Sequence, residues 1–276
     1  MEDISQKLAM PKMGFGTFRM PGDGARTVVE SALEVRYRHL DTAAMYDNEA
    51  AVGSAIAASG VSRREIFLTT KVWHDQLSSR DSIRAAFDES LAKLKVDYVD
   101  LYMVHWPSAD MDLRLVMETL VELHETGTTK AIGVCNFNLP MIQHAVDELH
   151  APVAALQVEY HPFLSQTALL SFVRKRGIQF VAYAPLAQGR AASDEVLAEI
   201  GRKHGVGAAQ IAIAWLISQD GVAAIPKAGR RESQEANLEA LKVVLDQEDL
   251  DAIRALPKDQ RYVRPPFAPD WDATTL

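Results

Sequence analysis

Four ionisable residues stand where short apolar runs end. Asp41 and Tyr46 follow the run that begins at His39, Lys71 lies in FLTTKV at 67–72, and His105 closes VDLYMVH at 99–105. If these runs are parallel neighbours in one sheet, all four groups leave the same edge. A tyrosine, with a reference pKa of about 10, is a proton donor held in reserve at neutral pH. A lysine beside it, kept cationic by Asp41, lowers that pKa and makes Tyr46 a usable general acid, with His105 hydrogen-bonding the same substrate oxygen. Such a group protonates an oxygen as negative charge develops on it. That suits reduction of a carbonyl and, in reverse, oxidation of an alcohol. No side chain donates hydride, so the chemistry requires a nicotinamide cofactor.

Positioning the four groups needs a regular scaffold, and the chain has one. Apolar runs of β type alternate with stretches of helical period. Strands are expected at 13–18, 39–43, 66–72, 99–105, 131–135, 155–158, 179–183 and 222–225. The intervening helices are expected at 24–37, 48–59, from 79, at 114–125, around Pro140, at 166–175, at 194–204 with 208–218, and at 232–242. Eight strand–helix units at roughly 30-residue spacing are what a (β/α)8 TIM barrel requires, and strands buried on both faces need not alternate polar with apolar. The α/β barrel is expected to form a single domain over 1–276, with an extra C-terminal helix at 246–256 and an irregular Pro- and aromatic-rich tail from 257 over the barrel mouth.

Composition narrows the partners. The chain of 276 residues carries a net charge of -8, so no overall basic field exists to hold nucleic acid. A single cysteine, Cys135, excludes an intrachain disulfide and a cysteine-based metal site, and fits a reducing compartment. Residues 1–8 are acidic and lack the apolar centre of a signal peptide, and no apolar run approaches the ~20 residues that span a bilayer. The expectation is a cytoplasmic monomer acting on a small molecule, with no metal, membrane or nucleic-acid partner.

A wider set of phrases carries a family resemblance: GFGTF at 14–18, LDTA at 40–43, YDNEA at 46–50, TKV at 70–72, DYVDL at 97–101, HWP at 105–107, GVCNF at 133–137 and IPK at 225–227. Together and in this order they resemble the aldo-keto reductases. Within that family the likeness is strongest to the bacterial 2,5-diketo-D-gluconate reductases, which also reduce methylglyoxal, and it extends to QRYVRPPFAPDWD at 260–272. The resemblance implies a catalytic tetrad of Asp41, Tyr46, Lys71 and His105 and an NADPH cofactor lying across the barrel top, with NADH as the alternative.

It further implies that Asn136 and Gln157 hold the nicotinamide amide and that the ring stacks on Tyr183. Pro185, Leu186, Gln188 and Gly189 would border the pyrophosphate. Lys227 and Arg230 would meet the 2′-phosphate, with Ile225, Ala228 and Asn237 nearby. Gly16, Thr17, Phe18, Asp41 and Cys135 complete the implied cofactor contacts. Three positions depart from the family pattern: Cys135 and Ala228 replace serines, and Ser233 replaces an arginine. Each departure removes a hydrogen bond or a charge near the cofactor.

Trp73, His105, Trp106, Phe137 and Trp271 are expected to line the substrate pocket. Other chemistries fit the same residues less well. An NADP-dependent oxidation of a secondary alcohol, including one on a bulky xenobiotic, is the same reaction reversed. A lyase using Lys71 as a Schiff-base nucleophile needs a neutral lysine, which Asp41 opposes. A non-catalytic NADP sensor would have no use for the four groups. The pair Gly14 and Gly16 is not a dinucleotide fingerprint, because the third glycine and the helix are missing. Its expected role is close backbone approach.

Overall fold

In the computed structural model, which describes residues 8–20 and 22–276, the apolar runs form eight parallel strands in sequence order. The acidic stretch at 1–7 lies outside the described residues. The strands are β1 (Phe15–Gly16), β2 (His39–Asp41), β3 (Phe67–Val72), β4 (Leu101–Val104), β5 (Ile132–Cys135), β6 (Val153–Glu159), β7 (Gln179–Tyr183) and β8 (Val222–Ala224). The sheet closes on itself through a parallel bridge between Met13 and Ala224, with the Gly14 N–H donating to the Ala224 carbonyl at 2.8 Å. This is the expected (β/α)8 barrel.

Closure is tight at β1. A Cβ on Gly16 would lie 2.7 Å from the Ile225 carbonyl oxygen, so only glycine lets the two backbones meet there. The expected first strand at 13–18 shrinks to two residues for the same reason, since two glycines in four positions weaken a ladder. The interior is filled by Phe67, Leu101, Met103, Ala155, Val181 and Ile225, a packed core and not a pore.

The outer layer comprises α1 (Gly22–Glu34), α2 (Glu49–Ala58), α3 (Arg80–Leu94), α4 (Leu113–Glu125), α5 (Leu139–Gln143), α6 (Thr167–Lys175), α7 (Glu195–His204), α8 (Ala208–Ser218), α9 (Arg231–Glu239) and α10 (Gln247–Ala255). Side-chain oxygens of Ser79, Asp112, Asn138, Asp194 and Asp246 each accept a backbone N–H in the first turn, which fixes where five of these helices begin. After α5 the backbone widens into a π-helical turn, His144–Glu148, a change of period that no composition signals. Among the described residues no helix is long and apolar enough to cross a membrane.

Helix α2 matters most for the site because it follows Tyr46. It packs against α3 so closely that a Cβ on Gly53 would collide with the backbone carbonyl of Leu94. Gly53→Ala should therefore destabilise the fold by roughly 1–3 kcal/mol, even though alanine is the better helix former by about 1 kcal/mol. Denaturant unfolding measures this, and a variant as stable as the parent would contradict the close approach.

Candidate active site

Alternation along the strands sends Asp41, Lys71 and His105 out at the C-terminal edge of the barrel. Asp41 pairs with Thr69, two residues before Lys71, and His105 directly follows Val104, the last residue of β4. Lys71 is fully buried. Its Nζ donates to Asp41 Oδ1 at 2.5 Å and to the Thr42 carbonyl at 2.8 Å. Gln157 Nε2 holds the second carboxylate oxygen at 2.8 Å. Burial pushes the lysine pKa down, but Asp41, Tyr46 and Cys135 together with the Asp41 hydrogen bond push it up further, so it stands above the usual range. Lys71 is a cation, not a neutral amine.

Tyr46 sits in a single 3-10 turn, Ala44–Tyr46, which ends at Asp47 with φ 51°. Asn48 holds the turn in place. Its Nδ2 donates to the Thr17 and Met20 carbonyls at 2.9 and 3.0 Å, and its Oδ1 accepts from Thr42 Oγ1 at 2.7 Å. Asn48 precedes α2 at a position where asparagine commonly caps a helix, yet its side chain makes no cap bond and ties the β1 loop to the Tyr46 turn instead. The phenol lies between Phe18 (ring centroids 5.0 Å) and His105 (5.3 Å), with Lys71 Nζ 5.2 Å from its ring centroid.

Enclosure raises the Tyr46 pKa and the Lys71 charge pulls it back, with burial the larger effect. The expected lowering by Lys71 has the right sign but does not prevail. Burial, with Lys71 and His74 nearby, holds His105 well below its ordinary range, so its ring is neutral. Its Nε2 is 3.5 Å from Tyr46 Oη, a loose contact that an oxygen bonded to both would bridge.

The residues implied to hold a nicotinamide lie beside this cluster. Asn136, with φ 60°, donates from Nδ2 to the His105 carbonyl at 2.9 Å and accepts from the Tyr183 hydroxyl at 2.7 Å. Both bonds leave the amide further capacity. Cys135 is buried, its Sγ 3.7 Å from Met103 Sδ. Thr17 is buried with its hydroxyl on the Asp41 carbonyl at 3.0 Å, whereas Phe18 is exposed. Pro185 is buried and Leu186 packs on the core, while Gln188 and Gly189 form an exposed bend at φ 54° and 102°.

Around β8, Ile225, Ala228 and Asn237 are buried. Lys227 is exposed and donates to the Arg19 carbonyl at 3.0 Å. Arg230, at the N-cap of α9, is exposed and has no ion pair among the described residues. Arg231 differs, since Glu34 and Glu235 take it at 2.7 and 3.0 Å. Arg230 at the N-cap and Lys227 three residues before it carry positive charge that no carboxylate among the described residues takes, a donor set that fits a phosphate.

Aromatic rings wall the opening. Trp73 lies 5.0 Å from the His105 ring, and Phe267 from the tail packs at 5.7 Å from Trp73, 4.5 Å from His74 and 5.6 Å from Trp106. Trp271 reaches Trp106 at 6.4 Å. Phe137 does not join them. It is fully buried in the layer between barrel and helices, because the left-handed Asn136 before it redirects the chain. The pocket residue missing from the sequence reading is Phe267. Its place in the Pro-flanked aromatic tail is a signal, but which tail ring reaches the mouth is not.

Known proteins resemble this chain over nearly its whole length. A model described as "Aldo/keto reductase family" matches residues 12–258. The methylglyoxal reductase DkgB of Escherichia coli O157:H7 is 42% identical over 269 residues, 96% of this chain and 100% of that protein. The glyoxal reductase of Bacillus subtilis is 39% identical over 253 residues, 91% of each. Among solved structures, a candidate 2,5-diketo-D-gluconic acid reductase B superposes with a TM-score of 0.94 at 40% identity, covering 98% of this chain and 96% of the other.

Proposed function

The chain belongs to the aldo/keto reductase family, and from that membership we propose that it reduces small aldehydes and ketones, including dicarbonyls of the methylglyoxal and 2,5-diketo-D-gluconate kind, with NADPH. The observation that carries this reading is the Tyr46–His105 pair set above the buried Lys71–Asp41 pair. When bound, NADPH supplies the hydride.

The chain's own groups handle the oxygen. Tyr46 Oη gives its proton to the substrate oxygen, one O–H bond forming as the other breaks, and the nearby Lys71 cation stabilises the phenolate left behind. Asp41 keeps Lys71 charged, and Gln157 holds Asp41 in place. His105, neutral in this setting, offers an Nε2–H to the same oxygen. Asn136, Gln157 and Tyr183 hold the nicotinamide. Lys227 and Arg230 hold the 2′-phosphate and favour NADPH over NADH, a preference tempered by Ala228 and Ser233. Trp73, Trp106, Phe267 and Trp271 select for small substrates.

A panel run in both directions tests the proposal. NADPH and NADH are offered with methylglyoxal, glyoxal and 2,5-diketo-D-gluconate, and NADP with secondary alcohols. The expected result is consumption of NADPH by dicarbonyls, faster than with NADH. Cofactor binding without turnover of any carbonyl or alcohol, or borohydride trapping of a carbonyl on Lys71, would overturn it.

A further inference from the structure

Strand β6 continues past Gln157 to Glu159, a carboxylate with no exposed surface. A buried carboxylate is costly unless donors meet it. Here Oε1 accepts from His161 Nε2 at 3.0 Å and from the Tyr262 backbone N–H at 2.8 Å, and Oε2 accepts from the Val263 N–H at 2.9 Å. Burial pushes the Glu159 pKa up, but these bonds outweigh it and hold the group below its ordinary range. The Phe163 N–H donates to His161 Nδ1 at 3.3 Å, which leaves Nε2 as the protonated nitrogen that faces Glu159.

Two of the three donors are main-chain amides of the C-terminal segment. The grip is therefore on the backbone, whatever side chains the segment carries. Backbone contacts fix that segment as far as 260: Ser165 N–H to the Lys258 carbonyl at 2.8 Å, a bridge between Leu164 and Asp259, and Gln260 N–H to the Phe163 carbonyl at 3.0 Å. The next polar tie beyond 263 is Asn138 Nδ2 to the Asp270 carbonyl at 2.8 Å. Between these points the chain lays Phe267 on Trp73, His74 and Trp106.

We propose that Glu159 is a positioning residue for substrate selection: from inside the barrel it sets the register of residues 262–263 and so the placement of Phe267 and Trp271 over the mouth. It does not touch substrate. The inference rests on the reductase reading for what passes through that mouth, but the grip itself is a property of the fold.

Two substitutions test it from opposite ends. Glu159→Gln removes the charge and one acceptor, and Val263→Pro removes a donor from the surface segment while leaving the barrel untouched. Hydrogen bonds to charged groups are strong enough that losing one should speed tryptic cleavage of the native protein after Arg261 by about tenfold. KM for methylglyoxal should rise by a similar ~10-fold factor, with kcat and NADPH affinity within ~2-fold. Cleavage rates and KM that stay at parental values in both folded variants would overturn the proposal. So would a loss confined to kcat. The proteolysis arm needs no turnover: faster cleavage in a protein that reduces no carbonyl would leave the grip standing and remove the reductase reading. Unchanged cleavage in an active reductase would do the reverse.

Discussion

Asp41→Ala is expected to abolish carbonyl reduction and to destabilise the fold by about 3–5 kcal/mol, the cost of stranding one partner of a buried ion pair. Lys71 has no exposed surface, and among the described residues the acceptors of its Nζ are Asp41 and the Thr42 carbonyl. Removing Asp41 also strips Gln157 Nε2 of its partner. Burial is then opposed only by Tyr46 and Cys135, so the lysine pKa falls and the cation that serves Tyr46 is no longer secured. In the parent the sign is reversed. A lysine pKa raised on folding contributes stability that is fully present below the unfolded value of about 10.4 and is lost only as pH rises through the folded value.

Denaturant unfolding of Asp41→Ala beside the double variant Asp41→Leu/Lys71→Met separates the two roles. An apolar pair of similar volume should recover most of the stability and none of the activity. Parental stability for Asp41→Ala alone would show that the pair is not the buried anchor described.

Much of the scaffold is legible in the sequence because a parallel barrel writes itself as a period. All eight strands occur in the expected order, since unbroken apolar runs such as FVAY at 180–183 have no other place in an α/β protein. The edge that gathers Asp41, Lys71 and His105 follows from the same logic. Boundaries are less legible where backbone geometry decides them. β6 runs to Glu159, which pairs with Tyr183 of β7, and its carboxylate holds a segment about a hundred residues away through main-chain amides, which leaves no side-chain signature. Phe137 reads as a mouth residue by position, yet a single left-handed φ at Asn136 sends it to the core. Asn48 reads as a cap, and only the fold shows the two carbonyls that claim it. The tail's irregularity is plain from its prolines, but the rings it delivers are set by the contacts that hold it.

Delivery of the proton by Tyr46 is put to the test by Tyr46→Phe. The substitution removes one oxygen and keeps the ring that packs on Phe18 and His105, so the cofactor site and fold should be unaffected. General acid catalysis contributes roughly 10²–10⁴-fold, and the loose 3.5 Å contact from His105 Nε2 offers no substitute donor that the Lys71 cation could assist. Single-turnover reduction of methylglyoxal by NADPH should therefore slow by at least about 10²-fold, with NADPH affinity by fluorescence titration unchanged. A Tyr46→Phe protein that reduces methylglyoxal at near-parental rate would contradict the account.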